Sequence, residues 1–267
     1  MTATLDDLST VDRPSPPARR QGNDSRRWWA LVVIALAQLM VVLDMTIVNI
    51  AMPHAQQALH ISDANKQWMV TAYTLAFGGL LLLGGRISDL VGRKLAFLVG
   101  LIGFGAASAL GGAAANAGML FGARAAQGVF AALLAPAALS LLTTTFTDPK
   151  ERGKAFGIYG AIAGGGAAVG LISGGALTQY LDWRWCMFVN VPIAVIAAVG
   201  ALFLLRDRKP DQVDRKLDFP GVVLASVGLV GIVYGCTEAA SKNSWTDKYV
   251  LALLIGGAVA LLLFALV

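Results

Sequence analysis

Eight stretches of this chain are apolar over the length of a bilayer crossing, and that pattern leaves little choice of fold. A spanning helix needs about 20 predominantly apolar residues. Such stretches occur at about 28–52, 67–85, 95–115, 118–143, 155–179, 185–205, 219–238 and 249–267, the last running to the end of the sequence. With 57% apolar residues, 14% charged residues and a mean hydropathy of +0.67, such a chain has too little polar surface to stay in water. The expectation is an all-α integral membrane protein, led by a polar, proline-containing tail over residues 1–27 that is read as disordered.

The basic residues give these spans a direction. Taken in alternation along the chain, one side collects Arg13, Arg19, Arg20, Arg26, Arg27, Arg86, Arg93, Lys94, Lys150, Arg152, Lys154, Arg206, Arg208, Lys209, Arg215 and Lys216. The other holds Lys66, Arg184, Lys242 and Lys248. Cytoplasmic loops are enriched in Lys and Arg, so the first side, with the N-terminus, is predicted to face the cytoplasm. The same rule explains the net charge of +5. That charge is spread over four loops without interleaved aromatics, which speaks against a nucleic-acid partner. At about 25 residues, the first apolar run is also too long for the 7–15-residue core of a cleaved signal.

Two charges lie away from the span ends. Asp44 is the one ionisable side chain from Trp28 to Pro53, and Arg124 is the one charged residue between Lys94 and Asp148. A charge at membrane depth costs about 2.5 to 3.5 kcal/mol on insertion scales and is seldom carried unless it faces a partner, a cavity or an ion path. Ala30, Ala37, Asp44 and Ala51 are spaced by sevens and fall nearly on one line of a helix. Arg124 continues into Gly128, Ala131 and Ala135. Stripes of small residues face neighbouring helices more readily than lipid.

The two charges also match in depth. At about 1.5 Å per residue, Asp44 lies roughly 13 Å from the outer end of its helix near Pro53, and Arg124 roughly 9 Å from the outer end of its own near Gly118. They are expected to couple, directly or through water and Gln127. Burial disfavours a charged carboxylate and a neighbouring guanidinium favours it. A carboxylate that alternates between such environments can take up a proton on one side and release it on the other; a static ion pair is the plainer alternative.

Other chemistry is sparse. His54 and His60 stand in the first outer loop without Cys, Asp or Glu at ligand spacing, so no metal is expected there. Cys186 and Cys236, near the outer ends of the sixth and seventh spans, read as buried small packing residues, with a disulfide geometrically conceivable. No nucleophile, base and oxyanion-donor set is present, and no enzymatic activity is expected.

Four segments carry a family resemblance. GRISDLVGRK, Gly85 to Lys94, joins the second and third spans; its glycines permit a tight turn, and Asp89 can cap or face the positive end of the next helix. At this spacing it resembles the loop signature of the major facilitator superfamily. LDMTIVNIAMP, Leu43 to Pro53, is similar to the first-span signature of the fourteen-span drug:proton antiporters in that superfamily. RAAQG, Arg124 to Gly128, resembles the fourth-span motif associated with proton coupling, and DWRWCMFVNVPIA, Asp182 to Ala194, the segment entering the sixth span. The fifth span resembles the antiporter motif through Gly160, Gly164, Gly170, Gly174 and Gly175, although Leu171 stands where the family pattern has proline. Independently, Gly153 with Gly157, Gly160 with Gly164, and Gly166 with Gly170 and Gly174 form ridges that let helices approach closely.

The resemblance implies a major facilitator fold: an N-terminal six-helix bundle over 28–206, then a cytoplasmic loop and two extra helices over 207–267, with the C-terminal bundle absent. It implies a proton-coupled exporter of drugs or antibiotics in the plasma membrane, working by alternating access. Asp44, Arg124 and Gln127 would couple the proton, and Gly85, Asp89, Gly92, Arg93 and Lys94 would form an inner gate. Lipid and a small amphipathic substrate are the implied partners, the proton gradient the sole cofactor, and a monomer the state of the complete protein. A proton-coupled importer of the same fold, or a truncated interaction protein that does not transport, are the alternatives.

Overall fold

The computed structural model describes residues 22–205, 219–242 and 244–266. Nine helices occur among them: α1 (Gly22–Ala58), α2 (Trp68–Val91), α3 (Arg93–Gly112), α4 (Ala117–Thr145), α5 (Pro149–Tyr180), α6 (Trp185–Phe188), α7 (Asn190–Leu204), α8 (Phe219–Lys242) and α9 (Lys248–Leu266). With α6 and α7 taken as one crossing, eight are long and apolar enough to span a membrane. This matches the eight stretches expected, and the chain is a multi-pass membrane protein.

Local chemistry sets several of the ends. Asp148 accepts from the backbone N–H groups of Lys150 and Glu151, Pro149 takes the first helical position, and α5 begins there. Each satisfies or avoids a donor that the first turn leaves unpaired. Asn116 opens α4 by accepting from Met119 N at 2.9 Å. The end of α3 is closed by the Arg184 guanidinium, which donates to Gly112 O at 2.8 Å and Ala114 O at 2.7 Å. Cationic donors suit the carbonyl end of a helix, where the dipole is negative.

The boundaries depart from expectation in two places. Helix α1 starts at Gly22, so residues 22–27, assigned above to a disordered tail, are helical; residues 1–21 lie outside the described residues, as do Arg206, Arg208, Lys209, Arg215 and Lys216. The segment Gly85 to Lys94 is not a loop. Helix α2 runs on to Val91, and only Gly92, at φ 100, separates it from α3. That left-handed dihedral is open to glycine without a Cβ clash. The sixth span keeps its course as expected: Val189, between the short α6 and α7, has helical dihedrals and donates to Trp185 O at 2.9 Å.

Packing relies on close backbone approach. Helices α2 and α4 meet at two glycines. A Cβ on Gly128 would meet the Tyr73 carbonyl, and one on Gly84 the Ala132 carbonyl. Helix α5 lies along α1 through Gly166, Gly170 and Gly174, which face Val42, Thr46 and Ile47. Helices α3 and α7 pack together beside α1, and the α8–α9 pair rests on α2, with Gly79 under Val230. Two apolar clusters fill the interior. One includes Ile34, Met40, Phe97, Phe104 and Leu134; the other includes Leu43, Ile47, Leu120 and Met187. Asp44 lies between them on α1.

Candidate functional site

Five helices converge on Asp44, which has no exposed surface. The stripe of Ala30, Ala37, Asp44 and Ala51 is buried along its length, so the seven-residue spacing does turn the carboxylate into the bundle. Arg124 of α4 is buried too, and its Nη1 donates to Asp44 Oδ2 at 2.6 Å. The expected partnership is direct.

Each donor around the carboxylate comes from a different turn or helix. Gln127, one turn beyond Arg124, donates through Nε2 to Asp44 Oδ1 at 2.9 Å and to Ser108 Oγ of α3 at 2.6 Å. Its carbonyl Oε1 accepts from Arg124 Nη1 at 2.6 Å, which fixes the orientation of the amide. Asn190, the first residue of α7, donates through Nδ2 to Asp44 Oδ1 at 2.8 Å and reaches Ser108 Oγ at 3.3 Å. Arg124 Nε donates to the Met69 carbonyl of α2 at 2.9 Å, and its guanidinium carbon lies 4.7 Å from the Tyr73 ring centroid. The cation is therefore held by a carboxylate, an amide, a backbone carbonyl and an aromatic face.

The network is a closed set of charged and neutral polar side chains between helices. It contains one carboxylate, no thiol nucleophile and, among the described residues, no group of His, Cys, Asp or Glu arranged to hold a metal. All three side-chain contacts to the carboxylate are donors, so the arrangement is matched to ionised Asp44.

Residues 34–267 match the family described as Major Facilitator Superfamily. The chain belongs to the Major Facilitator Superfamily. It is similar to the puromycin resistance protein pur8 of Streptomyces alboniger, 59% identical over 98% of this chain and 51% of that protein. It is 39% identical to the cephamycin export protein CmcT of Amycolatopsis lactamdurans, over 97% of this chain and 53% of that one. The tetracenomycin C resistance and export protein of Streptomyces glaucescens is 37% identical over 96% and 47%. The chain thus spans about half the length of these relatives. Among solved structures, the POT family transporter PepTSo shares the fold at a TM-score of 0.65 and 15% identity, over 90% of this chain and 52% of that one.

In this superfamily member the other sequence-expected residues divide. Of the gate segment, Gly85 lies within α2, where a Cβ built on it would meet Pro136 at an ordinary 3.7 Å, and Gly92 alone makes the turn. Asp89 sits in the last turn of α2, and Gly92 takes the N-cap position of α3. Arg93 is the first residue of α3; Lys94 reaches across to donate to Leu202 O of α7 at 2.9 Å, where Arg26 donates to Phe203 O at 2.8 Å. Of the fifth-span glycines, Gly170 and Gly174 pack on α1, whereas Gly160, Gly164 and Gly175 have open space where a Cβ would be. Among the described residues nothing lies within 4 Å of a Cβ built on Gly153, Gly157, Gly160 or Gly164, whereas the third ridge packs on α1. Cys186 is buried and Cys236 exposed, both as free thiols, which corrects the reading of Cys236 as buried.

Ser108, Asn190 and Tyr73 were missed. The signal was present for two of them. Ser108 is the one hydroxyl between Lys94 and Asn116, and Asn190 the one amide between Cys186 and Leu205. Lone neutral polar residues stand out less in an apolar run than lone charges do.

Proposed function

We propose that these residues serve a proton-coupled exporter of drugs or antibiotics, with Asp44 as the proton-binding carboxylate. The observation that carries this reading is a fully buried aspartate within a membrane-length helix, held at 2.6 Å by the buried Arg124. An intramembrane carboxylate of this kind is expensive to keep, and marks proton relays in pumps and transporters. The names of the relatives, resistance and export proteins for puromycin, cephamycin and tetracenomycin C, support export of an antibiotic-like cargo.

In the proposed cycle Arg124 and Gln127 stabilise ionised Asp44 while the site is closed. Protonation removes the charge that Arg124 faces and weakens the tie between α1 and α4, easing a change of packing. Movement of the bundle against a second one would then expose the substrate site to the other face. Residues 28–206 act as the six-helix bundle and 207–267 as the loop and added pair of a fourteen-span member. The N-terminus lies in the cytoplasm, the membrane is the plasma membrane, and the complete transporter works as a monomer on a small amphipathic substrate, without chemical conversion or a cofactor beyond the proton gradient. Gly85, Asp89, Gly92, Arg93 and Lys94 serve the inner gate, Lys94 by steadying the end of α7.

The test is pH-gradient-driven dye and antibiotic efflux from cells expressing the transporter at the relatives' full length. Asp44→Asn keeps the shape and removes the titratable group, and is expected to abolish gradient-driven efflux at matched expression. Unchanged efflux would sink the proposal.

A further inference from the structure

The carboxylate of Asp44 is surrounded by donors, and a protonated carboxyl needs an acceptor. Oδ2 receives Arg124 Nη1, and Oδ1 receives both Gln127 Nε2 and Asn190 Nδ2. When a proton binds Oδ1, an N–H directed at that oxygen opposes the new O–H, and one of the two amides must yield. Gln127 is not free to do so, because its Oε1 is engaged by Arg124. Asn190 is. Its Oδ1 is buried and has no hydrogen-bond partner, a condition that ordinarily costs about 1–3 kcal/mol and calls for an explanation.

We infer that Asn190 is the hydrogen-bond acceptor for protonated Asp44, its side-chain amide turning over each time the carboxyl gains or loses its proton. A hydronium ion delivers its proton to Asp44 Oδ1 and departs as water. The Asn190 N–H···O bond breaks, the amide rotates by half a turn about Cβ–Cγ, and the Asp44 O–H donates to Asn190 Oδ1. Ser108 completes the exchange: its Oγ accepts from Asn190 Nδ2 at 3.3 Å in the present orientation and can donate its own hydrogen to Oδ1 in the other. Each orientation leaves one amide atom unpartnered, so the protonation state of Asp44 decides between them: the ionised carboxylate selects the N–H and the protonated carboxyl selects the carbonyl. Release of the proton reverses the sequence.

The surroundings leave the task to this amide. The titratable or charged groups facing Asp44 are Arg124 of α4 and Tyr73 of α2. Helix α3 presents Ser108 and α7 presents Asn190, both uncharged. Helix α5 faces α1 with Gly166, Gly170 and Gly174, and the Cys186 thiol of α6 is turned toward the Gly174 carbonyl.

This inference rests on Asp44 being the proton site, and the experiment separates the two. Infrared difference spectra between low and high pH are recorded on the reconstituted full-length transporter with the asparagine side-chain amide carbon isotopically labelled. The expected result is an isotope-sensitive asparagine band that appears with the carboxyl band of Asp44 and vanishes with it in Asp44→Asn. Asn190→Leu should move the Asp44 carboxyl band to higher wavenumber and cut gradient-driven efflux about tenfold or more, whereas Asn190→Ser, which can both donate and accept, retains most of it. If Asp44→Asn abolishes efflux but no asparagine band accompanies the carboxyl band, the proton site stands and the role of Asn190 falls. If Asp44→Asn retains gradient-driven efflux, both fall. Loss of the isotope-sensitive band in labelled Asn190→Ser assigns it to Asn190 even where Asn190→Leu does not fold, and a band that persists there overturns the role of Asn190.

Discussion

Arg124 makes its contacts to Asp44, Gln127, Met69 and Tyr73 from a single buried guanidinium, so its removal leaves several groups unmatched at once. Breaking one side of a buried pair typically costs about 3–5 kcal/mol, because the remaining charge has lost its compensation. Arg124→Leu should therefore lower the thermal midpoint of the detergent-solubilised protein sharply. Adding Asp44→Asn should restore much of the loss, since the new amide can still accept from Gln127 and Asn190. A single variant melting with the unsubstituted protein would exclude this account. The charged half of the site was legible because a lone charge in an apolar run is costly and so conspicuous. The neutral half was not, because Ser108 and Asn190 carry a smaller penalty in spanning helices than a charge does, and only the packing of α3 and α7 brings them to Asp44.

At the scale of helices, glycines that look alike in the sequence have opposite surroundings. A Cβ on Gly128 would press on the Tyr73 carbonyl of α2, whereas one on Gly164 would meet nothing within 4 Å. Gly128→Ala should force α2 and α4 apart at a cost of about 1–3 kcal/mol. Gly164→Ala in this chain should be neutral or stabilising by up to about 1 kcal/mol, the ordinary helix preference for alanine. Thermal unfolding of the two variants side by side checks the contrast; equal effects would remove it. Span number and approximate position were legible from hydropathy alone, as the eight crossings demonstrate. The one-residue link at Gly92 was not, because polar residues such as Arg86, Ser88 and Asp89 end an apolar run without ending a helix.

Over the whole molecule, hydropathy says which segments cross and is silent on which are neighbours, so the seat of the α8–α9 pair could not be foreseen. The structure rests it on α2. A Cβ built on Gly79 lies 3.8 Å from Val230 Cβ, within the usual range for a disulfide. With the exposed Cys236 replaced by Ser, Gly79→Cys with Val230→Cys should cross-link under mild oxidation and lose maleimide labelling; retained labelling of both thiols would dislodge the pair from this position. The concealment of Asp44 has a consequence for how an exporter of this design would be powered. Among the described residues it is the one buried carboxylate, and no surface of it is open to cargo. In such an exporter a drug kept from those oxygen atoms would not replace the proton by binding them, and the number of protons carried would be independent of the drug's own charge. Exchange of one proton for a neutral compound moves net charge and draws on the membrane voltage, at about 2.3 kcal/mol per 100 mV. Exchange for a monovalent cation is electrically silent, leaving the pH difference alone to drive it.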